Sequence, residues 1–123
     1  MAYSSAVALT VVDIGRTSGV SSDKTLVAAT ATHGNKFLNS GKEFLRIING
    51  SVGDITVTLT PGTSVDGLAL PTKTYTVKAT GDADGLDDLL IGPFPKTWEQ
   101  ATDYIWVTFS AVVTVTVGVF RLP

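Results

Sequence analysis

Between Asp54 and Thr60 the chain alternates without a fault, with Ile55, Val57 and Leu59 on one side and Thr56, Thr58 and Thr60 on the other. Successive side chains of a strand point to opposite faces, so this pattern predicts a half-buried strand. Pro61-Gly62 ends it. Residues 73–79 repeat the pattern, with Tyr75 and Val77 predicted inward and Thr74, Thr76 and Lys78 outward. Near the C-terminus, residues 104–109 and 113–120 predict the two arms of a hairpin turning at Ser110-Ala111. In that hairpin Ile105, Val107 and Phe109 are set against Val113, Val115, Val117 and Val119.

Two further segments are apolar on both sides. Residues 43–49 include Phe44, Leu45, Ile47 and Ile48, and residues 88–94 include Leu89, Leu90 and Ile91 in succession. A strand of that kind is covered on both faces, by a second layer or by a partner subunit. Residues 6–12 predict another strand and residues 26–31 a further one. Turn signals separate the runs at Asn49-Gly50, Pro61-Gly62, Asp66-Gly67, Gly81-Asp82 and Asp84-Gly85. One helical turn is predicted over residues 97–102, capped by Thr97 after Pro95. The expectation is an all-β chain: a single-domain antiparallel β-sandwich or jelly-roll-like barrel over residues 1–123. Residues 1–25, low in charge, are expected to form an arm or strand ordered by a neighbouring subunit, loosest at residues 14–23.

Composition sharpens this picture. An apolar share of 44% against 16% charged residues excludes a disordered polyelectrolyte. The net charge of −2, without a basic block, gives no electrostatic reason to bind nucleic acid. Cysteine is absent, so stability comes from packing or association rather than cross-links. Residues 1–5 lack the basic region and apolar core of a secretory signal, and residues 111–122 are too short to span a bilayer as a helix. No membrane partner is expected.

Candidate chemistry is sparse. A catalytic serine needs a base, and the sole histidine, His33, falls in the polar stretch Thr32-His33-Gly34-Asn35-Lys36, which reads as a loop. A single histidine does not complete a zinc site. Residues 33–42 imitate a phosphate loop, but six residues separate Gly34 from Gly41 and Glu43 follows Lys42 where Ser or Thr is needed. Asp82, Asp84, Asp87 and Asp88 form an acidic group without the spacing of a calcium loop, so a solvated turn is expected. Asn49-Gly50-Ser51 matches a glycosylation sequon but is explained by a tight turn. The aromatic residues Phe94, Trp98, Tyr104 and Trp106 suit a core or subunit interface better than a ligand groove. Tyr104 and Trp106 are predicted on the face opposite Ile105. No enzyme, cofactor or metal is expected.

The run Gly41-Lys42-Glu43-Phe44-Leu45-Arg46-Ile47-Ile48-Asn49-Gly50 opens an ordered series of segments. It continues through Ile55-Thr56-Val57-Thr58, Asp66-Gly67-Leu68-Ala69 and Ile91-Gly92-Pro93-Phe94-Pro95, and ends at Val107-Thr108-Phe109-Ser110-Ala111-Val112. This series resembles small tailed-bacteriophage virion proteins of the head-decoration or auxiliary type, over roughly residues 7–122. The order of the segments, rather than any one motif, carries the resemblance. It implies a virion component, made in the host cytoplasm, that clamps the outside of the head. It further implies a β-rich homotrimer, with the major capsid protein as partner. Contact candidates are the corner Phe94, Pro95 and Trp98, whose prolines fix its shape, together with Tyr104 and Trp106. Two alternatives stay open: a head–tail connector, tail or fibre-associated part, and a carbohydrate- or peptide-binding sandwich using Tyr104, Trp106 and Trp98.

Overall fold

The period-two segments become strands, and their inward residues fuse into one core. The computed structural model describes residues 3–15, 19, 26–62, 64, 65, 68, 69, 71–100 and 103–122. Among them lie β1 (Val7–Ala8), β2 (Val11–Asp13), β3 (Val27–Ala28), β4 (Asn35–Leu38), β5 (Glu43–Asn49) and β6 (Ile55–Leu59). They are followed by β7 (Ser64–Val65), β8 (Leu68–Ala69), β9 (Lys73–Val77), β10 (Asp88–Ile91), β11 (Tyr104–Phe109) and β12 (Val115–Arg121). One sheet has the order β1-β4-β11-β6-β9, and the other β10-β5-β12-β2 with β3 also on β12; β7 and β8 pair separately. The two main sheets pack face to face as an all-β sandwich and do not close into a barrel. Both are mixed: β1 runs parallel to β4 and β2 parallel to β12, while the other described pairs are antiparallel.

Ile55, Val57 and Leu59 point inward as their alternation requires, as does Val77, with Tyr75 half-buried against the same core. They meet Phe37, Ile105 and Val107 of their own sheet and Leu45, Ile47, Val115, Val117 and Val119 of the other. Each such side chain contributes about 1.5–3 kcal/mol by leaving water.

The hairpin expected around Ser110-Ala111 does not form. β11 pairs with β4 and β6, β12 pairs with β5, and the chain crosses from one sheet to the other. Ser110 explains the departure: its N–H donates to the Thr56 carbonyl (2.9 Å), and its hydroxyl accepts from the Thr56 N–H (2.8 Å). That fixes the end of β11 to β6. Four residues later the Thr114 carbonyl accepts from Gly50 N–H at 2.9 Å, beyond the end of β5 in the opposite sheet. Ile105 and Val107 therefore meet the valines across the sandwich rather than side by side. Val113 is 74% exposed and takes no part.

Other boundaries shift for local reasons. The strand expected over residues 6–12 splits into β1 and β2, one in each sheet, around buried Leu9. The described part of the expected arm thus pairs within its own chain. The stretch read as a loop over Thr32–Lys36 ends at Gly34, and Asn35 opens β4. Gly34 has φ +70°, and a Cβ there would collide with the Val107 carbonyl oxygen, so glycine is required. β10 stops at Ile91, short of the expected residue 94. The helical turn is a 3-10 turn over Lys96–Trp98 that begins after Pro95 and contains Thr97, and residues 101 and 102 lie outside the described residues.

Buried polar side chains fasten the strand ends. Asn35 donates to the Val7 carbonyl and the Thr30 hydroxyl and accepts from Thr30 N–H, joining β1 and the loop before β4. Fully buried Asn49 donates to the carbonyls of Gly53 (2.9 Å) and Lys78 (3.0 Å). Fully buried Glu43 accepts from Ser40 N–H, the Ser40 hydroxyl, Lys42 N–H and Arg121 Nε at 2.7 Å. Burial alone would push the Glu43 carboxyl up, but these hydrogen bonds outweigh it and hold it below its ordinary value of 4.5.

A carboxylate with a lowered folded pKa stabilises the fold fully above its unfolded value and loses that contribution as pH falls through the folded one. The urea midpoint of the wild-type chain is therefore expected to fall below about pH 4.5, with a shallower fall for Glu43→Gln. At neutral pH, Glu43→Ala is expected to lose about 3 kcal/mol, because Arg121 and the loop N–H groups lose their acceptor.

Candidate docking face

Strand alternation gives each sheet an outer face as well as an inner one, and the two outer faces differ in chemistry. On the sheet containing β6, the outer positions are largely hydroxyls. Thr108 lies opposite Thr58, Thr58 opposite Thr74, and Thr56 opposite Thr76. Beside them Trp106 donates its indole N–H to the His33 carbonyl at 2.8 Å and meets Tyr3 edge-on at 6.0 Å. Lys36 Nζ lies over the rings of Tyr3 and Tyr104, at 5.0 and 5.4 Å.

The outer face of the opposite sheet is apolar. Because Leu45 and Ile47 point inward, Phe44, Arg46 and Ile48 point out. Because Val115, Val117 and Val119 point inward, Thr116, Gly118 and Phe120 point out. Register sets Phe44 beside Phe120 and Leu90 beside Arg46. Ile14, Phe44, Leu90, Phe120 and Leu122 border a shallow concavity of about 720 Å³. Leu90 and Leu122 are 65% and 43% exposed, high for leucines that sit together on one face.

Arg46 and Asp88 also border the concavity and form a bidentate pair, Nε to Oδ1 at 3.0 Å and NH2 to Oδ2 at 2.7 Å. Fork-on-fork geometry holds both side chains in one orientation and leaves the face electrically neutral. An apolar field with a fixed, internally neutralised ion pair suits docking of another protein surface; the described residues present no nucleophile–base pair there.

The residues singled out in the sequence fall in two separate places. Phe94 is 3% exposed, between Phe37 at 5.5 Å and Trp98 at 6.3 Å, so it serves the core. Trp98 packs half-buried against the same core, and Pro95 is exposed at the corner. Tyr104 and Trp106 lie on the hydroxyl-rich outer face, as the alternation predicts. The three rings proposed for a glycan groove therefore do not form one stacking platform.

The remaining motifs are occupied by the chain itself. The Ser40 and Lys42 N–H groups of the phosphate-loop imitation hold the Glu43 carboxylate. Asp82 accepts from the N–H groups of Asp84 and Leu86, Asp87 from Gly81, and Asp88 pairs with Arg46. Among the described residues no three His, Cys, Asp or Glu side chains gather where they could hold a metal ion. Asn49 of the sequon is fully buried, so a glycan has no access to it in the folded chain.

The two-sided apolarity of residues 43–49 and 88–94 points to a covered face and includes Phe44 and Leu90, but neither they nor Phe120 and Leu122 are among the contact candidates. Their only signal was apolarity at positions that strand alternation turns outward. Comparison with known proteins finds no matching family, no matching curated protein and no matching solved structure.

If Leu90 serves docking rather than folding, Leu90→Ser is expected to change stability by less than about 0.5 kcal/mol in urea denaturation. Phe120→Ala, which empties a site 5% exposed, is expected to lose about 3 kcal/mol.

Proposed function

We propose that the chain is a bacteriophage virion structural protein, a capsid decoration protein that binds the outside of the head through the outer face of β5, β10 and β12. It acts by binding and not by catalysis, as a homotrimer with the major capsid protein as partner. The observation that carries this reading is the apolar face of Phe44, Leu90 and Leu122 around the Arg46–Asp88 pair, with buried Phe120 as its floor. Covering such a face is favourable by roughly 25 cal/mol per Å² before the costs of association. Repetition over a closed lattice then adds a high effective concentration to a modest single contact. The ordered series of segments resembling head-decoration proteins supports the same reading, and the opposite, threonine-rich face suits permanent exposure to solvent. A chain of this composition, without a basic block, gives no reason for nucleic acid as the partner.

Light scattering after size exclusion is expected to give a particle of three 12.9 kDa chains. The protein is expected to co-sediment with heads of the phage whose genome encodes it. Leu90→Arg is expected to abolish co-sedimentation while leaving the thermal transition in place. Co-sedimentation unchanged by Leu90→Arg would remove this face from the account, and a monomer that ignores heads would remove the decoration role itself.

A further inference from the structure

At the corner between β4 and the 3-10 turn lies a cleft of about 190 Å³ lined by Asn39, Ser40, Phe94, Lys96, Glu99 and Asp103. Glu99 is 6% exposed. Its Oε2 accepts from Asn39 Nδ2 at 2.8 Å, and Asn39 is itself committed: Nδ2 also donates to the Phe94 carbonyl and Oδ1 accepts from Gly41 N–H. Among the described residues no cation lies within ion-pair distance of Glu99, in contrast to buried Glu43 with its Arg121. Among the described residues no donor reaches the other oxygen, Oε1, and none of their fully enclosed side-chain oxygens lacks a partner. Oε1 therefore opens to solvent, at the cleft that Glu99 lines. Lys96 stands at the rim with its side chain 84% exposed and its Nζ 3.7 Å from Asp103 Oδ1. Two carboxylates against one lysine leave the cleft one negative charge in excess.

A buried carboxylate whose one partner among the described residues is a neutral amide lacks there the counter-ion that such groups normally have. We propose that this cleft receives the ammonium group of a lysine side chain from a protein partner, with Glu99 Oε1 as the counter-charge. Lysine fits better than arginine because a guanidinium fork must reach both carboxylate oxygens side by side, and Oε2 is turned toward buried Asn39. An ammonium group is a point charge with three donors, which Glu99 Oε1 and the Asp103 carboxylate at the same cleft can accept. The excess charge of the cleft matches one such cation. This site lies at a different place from the apolar docking face and stands whether or not the partner is a capsid protein.

The test uses the full chain labelled with ¹⁵N and titrated with n-butylammonium, a lysine side-chain mimic, with n-butanol and methylguanidinium as controls. Saturable shifts of the Asn39 carboxamide and the Gly41 amide are expected with a Kd on the order of millimolar. Affinity is expected to be at least about tenfold weaker for both controls, and about tenfold weaker for n-butylammonium in Glu99→Gln. Shifts that do not saturate, or equal affinity for n-butanol, overturn the site. Equal affinity for methylguanidinium overturns the choice of lysine. If Glu99→Gln does not fold, the ratio of n-butylammonium to n-butanol binding on the wild-type chain decides the matter alone.

Discussion

The seven-residue ladder between β5 and β12 is the constraint on which the rest of the structure depends. Its register runs from Glu43 opposite Arg121 to Asn49 opposite Val115. Both ends of β5 carry a fully buried polar side chain: Glu43 gathers the N–H groups of residues 40 and 42 in the preceding loop, and Asn49 ties the carbonyl of residue 53 in the following loop to that of residue 78 beyond β9. A slip of β5 by one residue against β12 would turn Leu45 and Ile47 to the outside, away from the three valines of β12, and bury Arg46 in the core. The Glu43–Arg121 contact makes that slip doubly unfavourable, since it would also leave a charge without its partner. Arg121 reaches Asp13 as well, at 3.5 Å, so the same corner secures the N-terminal strand β2.

From that register the two outer faces follow without further assumption. The alternation that puts aliphatic residues inside puts Phe44 and Phe120 outside on one sheet, and threonines outside on the other. The small sandwich therefore has one apolar and one hydroxyl-rich outer face, and an apolar face of this kind is one that a partner surface can cover. The Arg46–Asp88 pair permits the apolar face to carry charge without an unpaired ion being buried when the face is covered.

Fold class was legible in the sequence because period two is written plainly in residues 54–60, 73–79, 104–109 and 113–120. Which sheet each strand joins was not legible. Side-by-side strands of a hairpin and strands that meet across a sandwich have the same inward period, so β11 and β12 read as neighbours. The deciding contacts, Ser110 with Thr56 and Gly50 with Thr114, join residues 54 and 64 positions apart. The same distance hides the polar locks: Asn39 is tied to Phe94 and Glu99, 55 and 60 positions along the chain. Aromatic residues drew attention to Phe94, which the fold uses for its core, while the aliphatic Leu90 and Leu122 of the docking face carry no chemical signature beyond apolarity.

The chain has no cysteine, so a single introduced thiol reports on one place only. The most direct test of the central claim is the maleimide-labelling rate of Leu90→Cys and Thr76→Cys, compared between the free chain and the head-bound form. Strong protection of position 90 on binding, with position 76 labelled at the rate of the free chain, is the predicted result. Equal labelling of position 90 in both states, or protection of position 76 instead, would contradict the assignment of the apolar face as the seat.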